Sequence, residues 1–388
     1  MSTRPPRLLH LHGSFQLGGK EARAVRLMNL WGDRARHVIL SGDPDAMSAR
    51  DAIDPSVPVD FPLDALPLTG LPGLARYRRL ARYMSGFDLV LTYNWGAMDG
   101  VMARRAFAPF MALPPLIHHE DGFNADENDG LKTKRNLFRR AALGAAHALV
   151  VPSVRLEGIA SERWGQPARR VRLIPNGIDV ARYAVAPAPD AIPTLRRTPG
   201  KLLVGTLAGL RAVKNIPRLV EGVAAHKDRL QLVVVGEGPE RAAIEQAALA
   251  AGLDDLCLAG FLPDPWRYVG LFDIFALSSD SEQFPISLVE AMAAGLPVAA
   301  TDVGDVAHMV SPENRRFVVA DGAALAEALA VLADDPALRA RLGAANRLRA
   351  RRDFAEGAMV DAYARLYDEA LGRNALGREA LERPAILR

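Results

Sequence analysis

Two glutamates, Glu282 and Glu290, bound the stretch of this 388-residue chain that is richest in ligand-binding chemistry. A carboxylate accepts two hydrogen bonds, which suits the vicinal hydroxyls of a ribose or a hexose. Between them, Phe284, Pro285, Ile286 and Ser287 read as the entry to a helix, and Gly295 with Pro297 reads as its stop. Free backbone N–H groups at such an entry attract anions. A second reading stays open. Ser287 and Glu290 stand in the S-x-x-E spacing of a capping box, in which Glu290 would satisfy only local backbone. Glu282 sits in a loop with nothing obvious to cap.

Three further groups of residues carry chemistry. Arg211 and Lys214 follow an apolar run, and a cation pair after a strand suits a diphosphate: lysine supplies a point charge, arginine a planar fork. Fixed cations there would stabilise the charge left on a departing nucleoside diphosphate. Ile117-His118-His119-Glu120-Asp121-Gly122 places four ionisable side chains at the end of another apolar run. Imidazole and carboxylate are also metal ligands, but adjacent strand residues point to opposite faces and make a poor local chelate. The sequence leaves open which of His118, His119 and Asp121 turns toward a ligand. Gly18-Gly19 lies between the first apolar run and a helical pattern, where glycine permits close backbone approach to a phosphate or sugar, or simply makes a turn. Its spacing is not G-x-G-x-x-G, which argues against a nicotinamide dehydrogenase.

These residues need elements to hold them. Short β-rich runs alternate with helical periodicity along the whole chain, the pattern of parallel sheets covered by helices. The predicted strands are Arg7–His12, His37–Ser41, Leu89–Tyr93, Leu116–His119, Ala148–Pro152 and Arg172–Pro175, then Lys201–Ala208, Leu230–Val235, Leu256–Ala259, Ile274–Ser278, Val298–Thr301 and Arg316–Val319. Pro187, Pro189, Pro193 and Pro199 break the alternation, so residues 184–199 read as a linker between two Rossmann-like halves, 1–183 and 200–355. Residues 356–388 read as a helical segment, amphipathic around Met359, Tyr363, Leu366 and Tyr367, that either half could hold; packing back on the first half is one option.

With the motifs placed, a resemblance emerges. Glu282-x7-Glu290, followed by Ala291-Met292-Ala293-Ala294-Gly295-Leu296-Pro297-Val298, resembles the E-x7-E signature of family 4 retaining glycosyltransferases. Gly18-Gly19-Lys20-Glu21, Ile174-Pro175-Asn176-Gly177-Ile178-Asp179, Gly236-Glu237-Gly238-Pro239 and Gly260-Phe261 are similar to further landmarks of that family, in the same order. The resemblance implies an α/β chain of GT-B fold, two Rossmann-like domains with parallel sheets facing across a cleft. Residues 1–183 would bind the acceptor and 200–355 the nucleotide sugar. Glu290 would bind the nucleotide ribose and Glu282 would lie near the donor sugar. The backbone from Phe284 to Ser287 would meet sugar and diphosphate. Lys214 matches the family lysine, but the family arginine falls on Gly209, and Arg211 stands two positions later. His118 matches the first histidine of the family's strand-end motif, and Asp121 replaces the second. The activity implied is metal-independent, retaining transfer of a hexosyl-type sugar from a nucleotide diphosphate sugar, a co-substrate rather than a cofactor. The acceptor would be a glycan or lipid-linked molecule of surface polysaccharide biosynthesis. A nucleotide-sugar epimerase, a phosphorylase or a non-catalytic sugar-nucleotide binding protein would use the same architecture.

Composition narrows the setting. Hydrophobic residues make up 49% and charged residues 24%, close to a globular average, so disordered and fibrous classes are excluded. The single cysteine, Cys257, excludes an intrachain disulfide and suits a reducing cytoplasm. No apolar run is long enough to predict a transmembrane helix. Net charge is +3, unevenly spread: residues 1–190 carry 25 Lys and Arg against 19 Asp and Glu. That excess is too mild for a nucleic-acid partner. It fits an anionic acceptor or peripheral contact with the inner face of a membrane, through Arg76, Arg78, Arg79 and Arg82 on one predicted helix and Lys132, Lys134, Arg135, Arg139 and Arg140 on another. A solvated helix face is the plainer alternative.

Overall fold

The computed structural model describes residues 4–62, 68, 70, 73–123, 127 and 132–377. It divides into two compact units, residues 1–175 with 359–388, and residues 176–358. The chain therefore crosses between units twice.

The first unit holds one sheet of seven parallel strands: β1 (Arg7–His12), β2 (Arg36–Ser41), β3 (Val59–Asp60), β4 (Leu89–Tyr93), β5 (Leu116–His119), β6 (Ala148–Val151) and β7 (Val171–Leu173). Their order is β3-β2-β1-β4-β5-β6-β7. The inner strands β1, β4, β5 and β6 are buried on both faces, which is why they read as continuous apolar runs. One face packs on α1 (Gly19–Trp31) and α12 (Glu356–Leu371). The other packs on α2 (Leu74–Met84), α3 (Met98–Phe107), α4 (Thr133–Leu143) and α5 (Val154–Glu162).

The second unit repeats the plan. Strands β8 (Leu202–Leu207), β9 (Leu230–Val235), β10 (Leu256–Gly260), β11 (Ile274–Leu277), β12 (Val298–Thr301) and β13 (Val318–Val319) lie in the order β10-β9-β8-β11-β12-β13, all parallel. Helices α6 (Ile216–Ala224), α7 (Arg241–Ala251) and α10 (Gly322–Asp334) cover one face; α8 (Ile286–Ala294) and α9 (Val306–Met309) cover the other, and α11 (Pro336–Asp353) contributes to both cores. In each sheet the strand order reverses beside the first strand, between β1 and β4 and between β8 and β11. Open α/β sheets bind ligands at the carboxyl ends of the strands flanking such a reversal.

Two boundaries differ from the sequence expectation. The proline-rich stretch is not a free linker: Tyr183 and Ile192 are buried in the core of the second unit, so the change of unit falls at 175 rather than 183. Pro187 is half-buried, while Pro189, Pro193 and Pro199 are exposed, so the packing comes from the residues between them. The terminal helix places Met359, Val360, Tyr363, Leu366 and Tyr367 in the core of the first unit. Residues 378–388 of that segment lie outside the described residues. Among the described residues no helix is long and apolar enough to cross a membrane.

Candidate functional site

In the second unit, the loops after β8 and β11 meet at the strand reversal. The loop after β8 ends in a 3-10 turn, Ala212–Lys214, closed by Asn215 in the left-handed region, whose side chain caps α6 by accepting from the Arg218 N–H. Asn215 and Arg218 also hold Asp280, at 3.1 and 2.6 Å, and the Asp280 N–H donates to Val213 O. These bonds tie the two loops together. They bring Lys214 Nζ to 2.5 Å from Glu282 Oε1, which also accepts from Ser279 Oγ at 2.7 Å. Both charged side chains are mostly buried. Glu282 therefore has a partner that the sequence did not reveal, and it fixes the lysine at the strand ends. An ammonium carries three donors, so Lys214 can hold Glu282 and still meet a phosphate. The loop after β12 closes over this pair. Gly304 has φ +58°, and a Cβ there would stand 2.3 Å from Glu282 O, so only glycine lets the two backbones approach.

Helix α8 starts at Ile286, with Pro285 as its N-cap and no capping side chain. The capping-box reading fails on this point. Ser287 lies inside the helix, and Glu290 is too far along it to reach the orphan amides. Instead, Glu290 Oε1 accepts from the Tyr183 hydroxyl at 3.0 Å. Burial pushes the Glu290 carboxyl up to about 7, while the Tyr183 bond pulls it the other way. Burial, then the carboxylate, hold the Tyr183 hydroxyl protonated far above its usual range. Phe284 is half-buried and packs its ring edge-on against Phe354, 5.6 Å between centroids, at the edge of the core of the second unit. With no capping side-chain hydrogen bond at the helix entry, the Ile286 and Ser287 amides can serve an anion.

Arg211 is exposed and, among the described residues, pairs with no carboxylate. Gly209 does not need to be glycine: its φ is not positive, and a Cβ would meet only Glu237 O, at 4.0 Å. Gly236 does, since at φ +142° a Cβ would stand 1.8 Å from Ala208 O.

The first unit arranges its candidates differently. His118 and His119 are both buried and face opposite sides of the sheet. His118 Nδ1 lies 2.8 Å from Thr92 Oγ1. His119 Nδ1 lies 3.2 Å from Thr92 O, which can only accept, so Nδ1 carries the proton and Nε2 accepts from the Tyr367 hydroxyl at 2.9 Å. Burial, with Arg23 adding to it, pushes His119 down to about 3, so the ring is neutral. Every bond of His119 is thus spent inside the fold. Asp121 reaches the surface, but Arg23 grips it with both guanidinium N–H groups, one at 2.8 Å. Burial works to raise the Asp121 carboxyl; Arg23 outweighs it and holds the group below its usual range. Glu120 pairs with the buried Arg139 at 3.1 Å. His118 Nε2 and Glu120 Oε2 come within 3.6 Å of each other, while His119 and Asp121 take other partners, and among the described residues no three of His, Cys, Asp and Glu gather closely enough for a metal.

Gly18 and Gly19 are exposed at the end of β1, and α1 opens there with no capping side chain. Behind them, the His12 ring stacks on Tyr93 at 4.0 Å, and Tyr93 stacks on His119 at 4.6 Å, across neighbouring strand ends. Arg23, Tyr93, Tyr183 and Ser279 were not singled out from sequence. Only Tyr183 carried a local hint, an aromatic residue four places after the Asn176-Gly177-Ile178-Asp179 segment.

Two family models match the chain in succession, Glycosyltransferase Family 4 over residues 17–182 and Glycosyl transferases group 1 over residues 190–349. The chain belongs to glycosyltransferase family 4. Among curated relatives it is 30% identical to the 2-deoxystreptamine glucosyltransferase of Streptomyces kanamyceticus, over 51% of this chain and 54% of that one. It is 29% identical to the lipopolysaccharide core biosynthesis glycosyltransferase LpsD of Rhizobium meliloti, over 48% of this chain and 55% of that one. The chain thus spans about half the length of these relatives. Among solved structures it resembles Anabaena Alr3699/HepE, crystallised with UDP, with a TM-score of 0.77 and 20% identity, covering 94% of this chain and all of that one. A further structure of that protein holds UDP-glucose. At that identity the likeness speaks to the fold, which is GT-B. For a family 4 member, Gly209 in place of arginine is a departure, and the open space around it shows that the fold does not forbid the larger residue.

Proposed function

We propose that the second unit binds a nucleotide diphosphate sugar and that the chain transfers its hexosyl-type sugar, with retention, to a glycan or lipid-linked acceptor of surface polysaccharide biosynthesis. The observation that carries this reading is the convergence of Lys214, Glu282 and the open entry of α8 at the β8/β11 reversal, with Glu290 one helical turn beyond. Ribose hydroxyls donate to Glu290, the diphosphate lies on the Ile286 and Ser287 amides, and Lys214 and Arg211 neutralise it. The relatives named for glucosyl transfer and lipopolysaccharide core synthesis, and the fold neighbour that binds UDP-glucose, support this choice of donor and pathway.

In the reaction, the bond from the anomeric carbon to the phosphate oxygen breaks while one to the acceptor oxygen forms on the same face. The acceptor's proton passes to the departing phosphate. The charge that develops there is met by Lys214, which Glu282 already holds in place, so little reorganisation is needed at the moment of transfer. Protein cations perform this neutralisation, and the reading calls for no metal or cofactor. The first unit takes the acceptor. Glu290→Ala and Lys214→Ala should each abolish donor turnover in a chain that still folds; unchanged transfer rates in both would sink the reading. A thermal-shift panel of UDP-, GDP- and ADP-sugars identifies the donor, because a tight ligand raises apparent stability by mass action.

A further inference from the structure

We propose that the first unit takes an uncharged, hydroxyl-rich sugar as the reacting residue of its acceptor and turns away one that carries a phosphate or a carboxylate. This rests on the reading that the first unit holds the acceptor, and it names the class of sugar which that reading leaves open. The acceptor end is the set of loops at the carboxyl ends of the first sheet, where the strand order reverses between β1 and β4. Two glycines bring the loops after these strands together: a Cβ on Gly96 would stand 2.6 Å from Gly13 Cα. The loop after β2 joins them, since the Phe15 N–H donates to Ala46 O at 2.9 Å.

The charge at this end is not that of the half as a whole. Residues 13–18, 42–47, 94–97, 120–123, 152–153 and 174–175 follow β1, β2, β4, β5, β6 and β7. They hold Asp43, Asp45, Glu120 and Asp121, and neither Lys nor Arg. Where α1 and α3 open at the reversal, their charges come in pairs: Lys20 binds Glu21, Arg23 grips Asp121, and Asp99 binds Arg76. Lys134 and Arg155 open helices further along the sheet, after β5 and β6. The basic excess that pointed to an anionic acceptor therefore lies away from the reversal. A phosphate or carboxylate arriving there faces the exposed Asp43 and Asp45, and like charges brought together oppose binding.

The reversal offers uncharged hydrogen-bonding groups instead. Asn94 ends β4 at φ +52°, backbone that glycine adopts far more readily. Its Oδ1 accepts from the Asp121 N–H at 2.8 Å, which leaves the amide NH2 as the open end. Ser14 is half-buried and Gln16 exposed in the loop after β1, and among the described residues neither side chain has a hydrogen-bond partner. Arg23 takes two of the roughly four lone-pair positions of the Asp121 carboxylate, so a hydroxyl can still donate to it. An open amide, a hydroxyl and a carboxylate already neutralised by its own arginine match vicinal hydroxyls, which donate and accept together. They give nothing to an anion.

The test is saturation-transfer difference NMR on the full chain, with UDP, GDP and ADP present to fill the donor site of the second unit. The probes are the methyl glycosides of glucose, galactose and mannose, each beside its uronate and its 6-phosphate. At least one neutral glycoside should bind, and its two anionic forms should bind at least about tenfold more weakly. Raising salt from about 0.05 to 0.5 M should leave the neutral glycoside unchanged and strengthen the anionic forms, because screening relieves repulsion. Asn94→Gly suits the backbone, should leave the fold intact and should weaken the neutral glycoside about fivefold. Asp121→Asn releases the Arg23 guanidinium and should narrow the gap between the uronate and its neutral parent. The proposal is overturned if no neutral glycoside binds, if an anionic form binds as tightly as its parent, if salt weakens the anionic forms, or if both variants behave as the unaltered chain. Thermal shift with nucleotide sugars keeps the two readings apart: a chain stabilised by a donor that still prefers anionic glycosides retains the donor reading and loses this one.

Discussion

Replacing Glu290 with glutamine should make the protein more stable and less able to bind its donor, and the gain should depend on pH. Burial raises the Glu290 carboxyl from its ordinary 4.5 to about 7. A raised carboxyl favours the folded state only while it is protonated. That contribution is complete below pH 4.5 and is lost as pH climbs through about 7. Above that, the ionised group costs up to about 3 kcal/mol relative to the unfolded chain, at about 1.4 kcal/mol per unit. Glutamine keeps the shape and can still accept from Tyr183, but it cannot ionise. The gap in unfolding free energy between Glu290→Gln and the parent should therefore widen by about 3 kcal/mol between pH 4.5 and pH 8. Urea unfolding followed by circular dichroism across that range measures it. Donor binding by calorimetry at pH 8 should fall in the same variant, because ribose hydroxyls lose their ionised acceptor. A gap that does not change with pH would refute the reasoning, since the carboxyl would then not be held against its charge.

Three other outcomes follow from the same geometry. Gly304→Ala forces a side chain into the left-handed region and onto Glu282 O, so it should destabilise the second unit by about 1–2 kcal/mol and weaken donor binding, read by thermal melting and calorimetry. Gly209→Arg enters open space, should leave the melting temperature within experimental scatter, and should raise the transfer rate several-fold if a second cation at the diphosphate is wanting. Tyr367→Phe leaves the buried His119 Nε2 without its donor and should cost about 1–3 kcal/mol in denaturant unfolding, with recovery in a variant that also replaces His119 by an apolar ring.

The architecture was legible because its strands are parallel and the inner ones are buried on both faces. Runs such as Leu230–Val235 need no alternation to be recognised, and eleven of the thirteen strands coincide with predicted runs to within a residue or so. The two weak points have physical reasons. Val59–Asp60 is a two-residue edge strand beginning straight after Pro58, and Arg315–Phe317 turns as a 3-10 helix before the short β13. At the candidate site the sequence pointed to the loops after β8 and β11 but not to the pairings that join them. Glu282 and Lys214 stand 68 positions apart, and Tyr183 and Glu290 107, so no local spacing could announce either bond. The S-x-x-E pattern misled because it does not say where a helix begins: Pro285 sets that point, and Ser287 falls two residues inside it. At His118-His119 the alternation rule separated the two rings correctly, but polarity suggested exposure where Thr92 and Tyr367 had supplied buried partners.

The return of α12 to the first unit sets an order on biosynthesis. Residues 176–358 are contiguous and contain everything their unit buries, whereas the first unit's core includes Met359, Tyr363 and Tyr367. At ribosomal speeds of about 5–20 residues per second, roughly 10–40 s separate the emergence of Pro175 from that of Met359. During that interval the nascent first unit lacks the helix that covers Trp31 and His119, and it offers an uncovered apolar sheet face to whatever chaperone attends the ribosome exit. The usual vectorial rule is thus inverted for these two units: the second can mature first, and residues 1–175 wait for the helix that begins the chain's return at Met359.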